Sequence, residues 1–183
     1  MDQYYVDVVV GIASSEGKMV NFPVDEVRPM GRTASGVIGI DLDDGVEAVG
    51  VTAAYEGELV LVVTDKGYGK MTHFSEYRIT KRGAKGVSTL KSTDKVGKIV
   101  TVRSVSSEDD LMVITNYGIV IRTHLSEVRQ SSRNTQGVRI LNLEGRQKVS
   151  SIAIVPFEEE TEEDLEETEV EDTPVEENSQ DEE

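Results

Sequence analysis

The chain has 183 residues, 19 Lys and Arg against 35 Asp and Glu, a formal net charge of −16, and no cysteine. The missing thiols exclude disulfides and zinc–thiolate centres and fit a reducing compartment. No apolar run approaches bilayer-spanning length, and residues 1–5 lack the basic, apolar start of a signal peptide, so a cytoplasmic protein with no membrane partner is expected.

The elements predicted in chain order are short strands. Residues 6–13 are a β-branched run ending at Ser14-Ser15-Glu16-Gly17, and residues 19–22 form the second arm of a hairpin. An aperiodic loop, 25–35, leads to Gly36 and an alternating strand over 37–42; a turn at Asp43-Asp44-Gly45 opens a fourth strand over 47–53. The same plan recurs as 59–64, a turn at Asp65-Lys66-Gly67, a strand to Thr72, a basic loop, 87–91 and 99–105. It recurs again as 111–115, a turn at Asn116-Tyr117-Gly118, a strand to Thr123, a loop, 138–143 and 149–155. Twelve strands rich in Val and Ile predict an all-β fold with no helix.

The recurrence is a sequence repeat of 50 and 51 residues. Gly17, Gly67 and Gly118 fall in register, as do Glu26, Glu76 and Glu127, Arg28, Arg78 and Arg129, Arg32, Arg82 and Arg133, and Gly36, Gly86 and Gly137. Such a period predicts stacked units that bury their apolar faces on one another. Three four-stranded blades of a propeller-like array are expected at about 5–55, 56–105 and 106–157, with the two outer blades half covered. Residues 158–183 hold sixteen acids and no base, which predicts a disordered acidic tail; the preceding 157 residues hold nineteen of each sign.

Within the array the charge is uneven. Residues 1–53 carry three bases and nine acids, residues 54–105 ten and five, residues 106–157 six and five. Lys70, Arg78, Lys81, Arg82 and Lys85 lie on one glycine-containing turn and loop, a combination suited to phosphates, which position a nucleic acid without reading its bases. Arg32, Arg133 and Arg122 are further candidates, Arg32 being the weakest because its repeat is acidic. Arg28, Arg78 and Arg129 each follow a glutamate by two residues, so pairing within the blade competes with DNA contact. A soluble loop is the bland alternative. His73 and His124 share a repeat position and suit loop-end packing better than metal binding. Tyr68, Tyr77 and Tyr117 suit packing better than base stacking, because a duplex hides its base faces.

The motif Glu76-Tyr77-Arg78-Ile79-Thr80-Lys81-Arg82-Gly83-Ala84-Lys85-Gly86-Val87, with its counterparts from Asp25 to Val37 and from Ser126 to Val138, resembles the blades of the C-terminal domain of the bacterial DNA gyrase A protein and of its topoisomerase IV relative. The resemblance covers residues 6–155. It implies the last three blades of a six-bladed β-pinwheel whose basic rim wraps double-stranded DNA, followed by the gyrase-type acidic tail, with gyrase favoured as parent. It also implies the remainder of the gyrase A protein and the gyrase B protein as partners. The family's box Gln-Arg-Arg-Gly-Gly-Lys-Gly has only Thr80-Lys81-Arg82-Gly83-Ala84-Lys85-Gly86 as its nearest match, and the family's DNA-cleaving tyrosine lies in a separate region. No phosphate loop of the Gly-x-x-x-x-Gly-Lys-Ser/Thr type is present. No catalytic residue, cofactor or metal is therefore assigned to this chain; ATP and Mg belong, by resemblance, to the parent assembly. A propeller-type protein-interaction scaffold with an acidic partner-binding tail is the alternative reading.

Overall fold

A computed structural model of the protein describes residues 8–54 and 58–157. The expected start of the first strand at Val6 and the acidic tail 158–183 lie outside the described residues. Eleven strands form three antiparallel sheets: β1 (Val9–Ser14), β2 (Lys18–Pro23), β3 (Ala48–Ala54), β4 (Leu59–Thr64), β5 (Tyr68–His73), β6 (Val87–Ser88), β7 (Ile99–Val105), β8 (Asp110–Thr115), β9 (Val120–His124), β10 (Val138–Arg139) and β11 (Val149–Val155). Their orders are β3-β1-β2-β6, β10-β5-β4-β7 and β11-β8-β9. One-turn 3-10 helices, Val24–Glu26, Phe74–Glu76 and Leu125–Glu127, follow the second strand of each repeat.

These orders reveal a feature that the simple repeat plan does not contain. The fourth strand of each complete sheet comes from the following repeat: β6 pairs with β2 (Lys18 with Ser88, Met19 with Val87), and β10 pairs with β5 (Tyr68 with Arg139, Gly69 with Val138). The strand expected over 37–42 corresponds in register to β6 and β10, and it is not a strand. It has no earlier hairpin among the described residues to pair with, and Ile38 is 71% exposed. For the complementary reason the third sheet has three strands among the described residues.

Packing follows the alternation of β4. Val60 and Val62 point into one cluster with Ala13, Met19, Phe74, Leu90 and Val102, between the first and second sheets. Leu59, Leu61 and Val63 point into another with Met71, Leu111, Val113, Leu125 and Leu141, between the second and third. Every residue of β4 is buried, because the middle sheet is covered on both faces, whereas β11 is mostly exposed. A continuous apolar run thus reads as a two-sided strand, and truncating Val62 would cost about 2 to 3 kcal/mol of core packing.

Glycine is required where repeats touch. Gly67 has φ 75°, and a Cβ there would lie 2.9 Å from the Leu141 carbonyl oxygen. That carbonyl belongs to the strand-bearing segment of the next repeat, whose Ile140 and Leu141 amides donate to the Gly67 carbonyl.

Candidate nucleic-acid interface

The basic loop of the second repeat does not hang free. It runs against the first repeat: the Thr80 amide donates to the Asn21 carbonyl at 2.7 Å, and the Gly83 amide to the Gly39 carbonyl at 2.8 Å. The Arg82 amide donates to the Glu26 carboxylate at 2.7 Å, while its guanidinium reaches the backbone carbonyls of Glu26 and Ile38. The next boundary repeats the arrangement. The Arg133 amide donates to the Glu76 carboxylate at 3.0 Å, and the Arg133 guanidinium donates to the Ser88 carbonyl at 2.9 Å. The repeated glutamates thus bind the arginine of the following repeat rather than the arginine two residues on. Arg82 and Arg133, both half-buried, spend guanidinium donors on tying repeats together.

Lys70 departs furthest from its expected place. It lies in β5, wholly buried, and its ammonium donates to the carbonyls of Ser132 at 2.5 Å and Arg133 at 2.6 Å and to the Thr135 hydroxyl at 3.2 Å. Burial strips water from the charge and lowers its pKa to about 8. Lys70 is a strut beneath the loop of the third repeat, not a group that DNA can reach. Lys85 is exposed but paired with Asp43 at 2.5 Å, which lowers the Asp43 pKa and raises its own. Arg122 is exposed and bound through Nε to Asp110 at 2.6 Å. Arg32, Arg78 and Lys81 are exposed and carry no ion pair among the described residues.

The histidines and tyrosines divide by how well their repeat is covered. His124 Nδ1 lies 2.7 Å from Asp110, with its ring 6.2 Å from Phe157, a loop-end contact. Tyr68 and Tyr77 are buried, Tyr77 sharing a hydrogen bond with Thr89, but Tyr117 of the third repeat is 60% exposed.

A second group of cations, which the repeat alignment does not single out, converges at the hairpin-turn end. Lys66, Lys95, Arg139, Arg146 and Lys148 line a hollow of about 490 Å³ with Tyr68, Leu141, Leu143, Gly145 and Gln147, and no acidic residue lines it. The β5–β10 pairing builds it, setting Arg139 beside Tyr68, with its guanidinium carbon 5.5 Å from the ring centroid and a bond to the phenol oxygen at 3.2 Å. That bond lowers the Tyr68 pKa. Lys66 donates to the Asp94 carbonyl, which leaves its charge uncancelled, while Lys148 pairs with Asp65 at 2.8 Å. Lys66, Lys95, Arg139 and Arg146 have no carboxylate partner among the described residues. Four such charges over one concave, glycine-bordered surface match the spacing demands of a phosphate backbone better than those of a single buried ligand. The one signal in the sequence is that Lys98 and Lys148 share a repeat position, each reaching back to the turn acid of the repeat before, Glu16 and Asp65.

Known proteins share these features. The family model described as the DNA gyrase C-terminal domain, beta-propeller, matches residues 12–54, 58–106 and 109–156, one match per repeat. The DNA gyrase A protein of Staphylococcus aureus is 42% identical over 166 residues, covering 88% of this chain and 18% of the relative. The DNA gyrase A protein of Ureaplasma parvum is 44% identical over 156 residues, covering 85% of this chain and 19% of the relative. A solved DNA gyrase A C-terminal domain superposes with a TM-score of 0.76 at 28% identity, covering 82% of this chain and 51% of that one. The chain therefore spans about a fifth of the length of these curated relatives.

Proposed function

This chain belongs to the DNA gyrase C-terminal domain, beta-propeller family, and on that premise we propose that it is the DNA-binding and wrapping part of a gyrase A protein. The observation that carries the reading is the hollow lined by Lys66, Lys95, Arg139 and Arg146, charges without carboxylate partners that two adjacent repeats bring together. Arg78, Lys81 and, more weakly, Arg32 extend the cationic surface over the loop side. Contacts of this kind neutralise phosphates without reading bases, as wrapping a duplex of any sequence requires.

In this reading the chain does no bond-breaking chemistry. It bends double-stranded DNA, and the rest of the gyrase A protein together with the gyrase B protein carries out strand passage driven by ATP and Mg, to the effect of negative supercoiling. The chain itself holds neither ATP nor metal, and it works in the cytoplasm with no membrane partner. The acidic tail, sixteen carboxylates in residues 158–183, competes with DNA for the basic surface at high effective concentration.

The test is a gel-shift titration with duplexes of about 150 base pairs and unrelated sequences, long enough to follow a bent path. The reading expects equal affinities for all of them, weakening as salt rises, and tighter binding by residues 1–157 than by the full chain at low salt. A chain that ignores duplex DNA at every salt concentration would instead be a protein-interaction scaffold.

A further inference from the structure

The chain makes one kind of joint twice and carries the two unmatched halves of a third. In each inner joint a turn glycine carbonyl accepts two amides of the next repeat, Thr89 and Leu90 on Gly17, Ile140 and Leu141 on Gly67. Two residues then extend the sheet, and a glutamate accepts an arginine amide, Glu26 from Arg82 and Glu76 from Arg133. The fit is close: a Cβ on Gly86 would lie 2.5 Å from the Met19 backbone, and one on Gly137 2.6 Å from the Gly69 carbonyl oxygen.

The third repeat presents the accepting half, consisting of Gly118, the β9 edge at Ile119 and Val120, and Glu127. The first presents the inserting half, Arg32, Gly36, Val37 and Ile38. A Cβ on Gly36 or Gly118 meets nothing within 4 Å, and Ile38, Ile119 and Val120 are exposed. The repeat offsets set Val37 opposite Val120, Ile38 opposite Ile119, and the Arg32 amide at Glu127.

The inserting half is already shaped. The Asp41 amide donates to the Ala84 carbonyl, and the Arg82 guanidinium to the Ile38 carbonyl. The corresponding bonds, Lys91 amide to Thr135 carbonyl and Arg133 guanidinium to Ser88 carbonyl, hold the segment that does insert. Little ordering entropy remains to oppose insertion.

We propose that two copies of this chain associate head to tail, each laying Val37 and Ile38 along the β9 edge of the other, to close a ring of six repeats. The joint is heterologous, so two copies close only if the rotation permits it. The match to the solved domain supports closure: 82% of this chain superposes on 51% of that chain, so two copies supply its length. Four apolar side chains leave water in each new joint, which drives association without DNA.

Sedimentation equilibrium on the 183-residue chain tests this. The wild type is expected at twice 20.1 kDa at about 100 µM, where even a modest joint is occupied. Ile38→Asp and Ile119→Asp each fall to one copy with an unchanged far-UV spectrum, and mixing the two restores a weaker two-copy species through the one intact joint. Val37→Asp and Val120→Asp replace either variant that fails to fold. A monomeric wild type, variants that stay paired, a mixture that does not re-associate, or species growing beyond two copies would each overturn the proposal.

Discussion

Replacing Lys70 with methionine separates a strut from a DNA contact. The ammonium makes three hydrogen bonds to the loop of the third repeat, which at the strength of charged donors contribute about 5 kcal/mol. Keeping the charge buried costs about 3 kcal/mol, the equivalent of the fall in pKa from 10.5 to about 8. The balance is a loss of about 2 kcal/mol on removing it near pH 7. The pH dependence has a definite sign. Between pH 8 and 10.5 the unfolded lysine keeps its proton and the native one has released it, so wild-type stability from this group rises with pH and is lost as pH falls through 8. The variant has nothing to titrate there, so the gap between the two widens by about 2 to 3 kcal/mol from pH 8 to pH 10. Urea denaturation at pH 7, 8 and 10 reads both quantities, and duplex affinity of the folded variant stays at the wild-type value. A stability gap that is absent, or that narrows as pH rises, would refute the reasoning, as would a selective loss of DNA binding.

Gly67 and Gly45 share a φ of 75°, but only Gly67 faces a carbonyl of the next repeat. Alanine at Gly45 should cost about 1 kcal/mol of backbone strain and at Gly67 about 1 to 3 kcal/mol more, measured by thermal unfolding. Glu76→Ala leaves the Arg133 amide to water and should cost about 1 kcal/mol in urea without weakening DNA binding. Asp110, its pKa lowered chiefly by the hydrogen bond from Arg122 and then by His124, contributes stability that is present above the ordinary carboxylate pKa and lost as pH falls below it; Asp110→Asn should flatten the acid limb of the stability profile in that window.

What the sequence made legible was whatever a repeat fixes within its own span. Hairpins, turn glycines and the fully buried β4 follow from local pattern, and each lies where the register of glycines put it. The residues that departed are those whose environment is set by the next repeat. Residues 37–42 alternate as a strand should, but a strand needs an edge to pair with, and the edges of this array are filled from the following repeat backward. Lys70 belongs to a basic motif by composition, yet the loop 131–135 folds over it. Arg82 and Arg133 read as surface cations because nothing local shows that their donors complete a neighbour's backbone bonding. The hollow was hidden because Lys66, Lys95, Arg139 and Arg146 are widely spaced along the chain and meet only through the β5–β10 pairing.

The most direct measurement of the DNA-binding claim is the slope of log affinity against log salt for a duplex, compared between wild type and a variant with Lys66, Lys95, Arg139 and Arg146 changed to glutamine. Four neutralised phosphates contribute about −3.6 to that slope, so the variant should bind more weakly and lose most of its salt dependence while its folding remains intact. An unchanged slope would place the duplex elsewhere on the molecule and contradict the account.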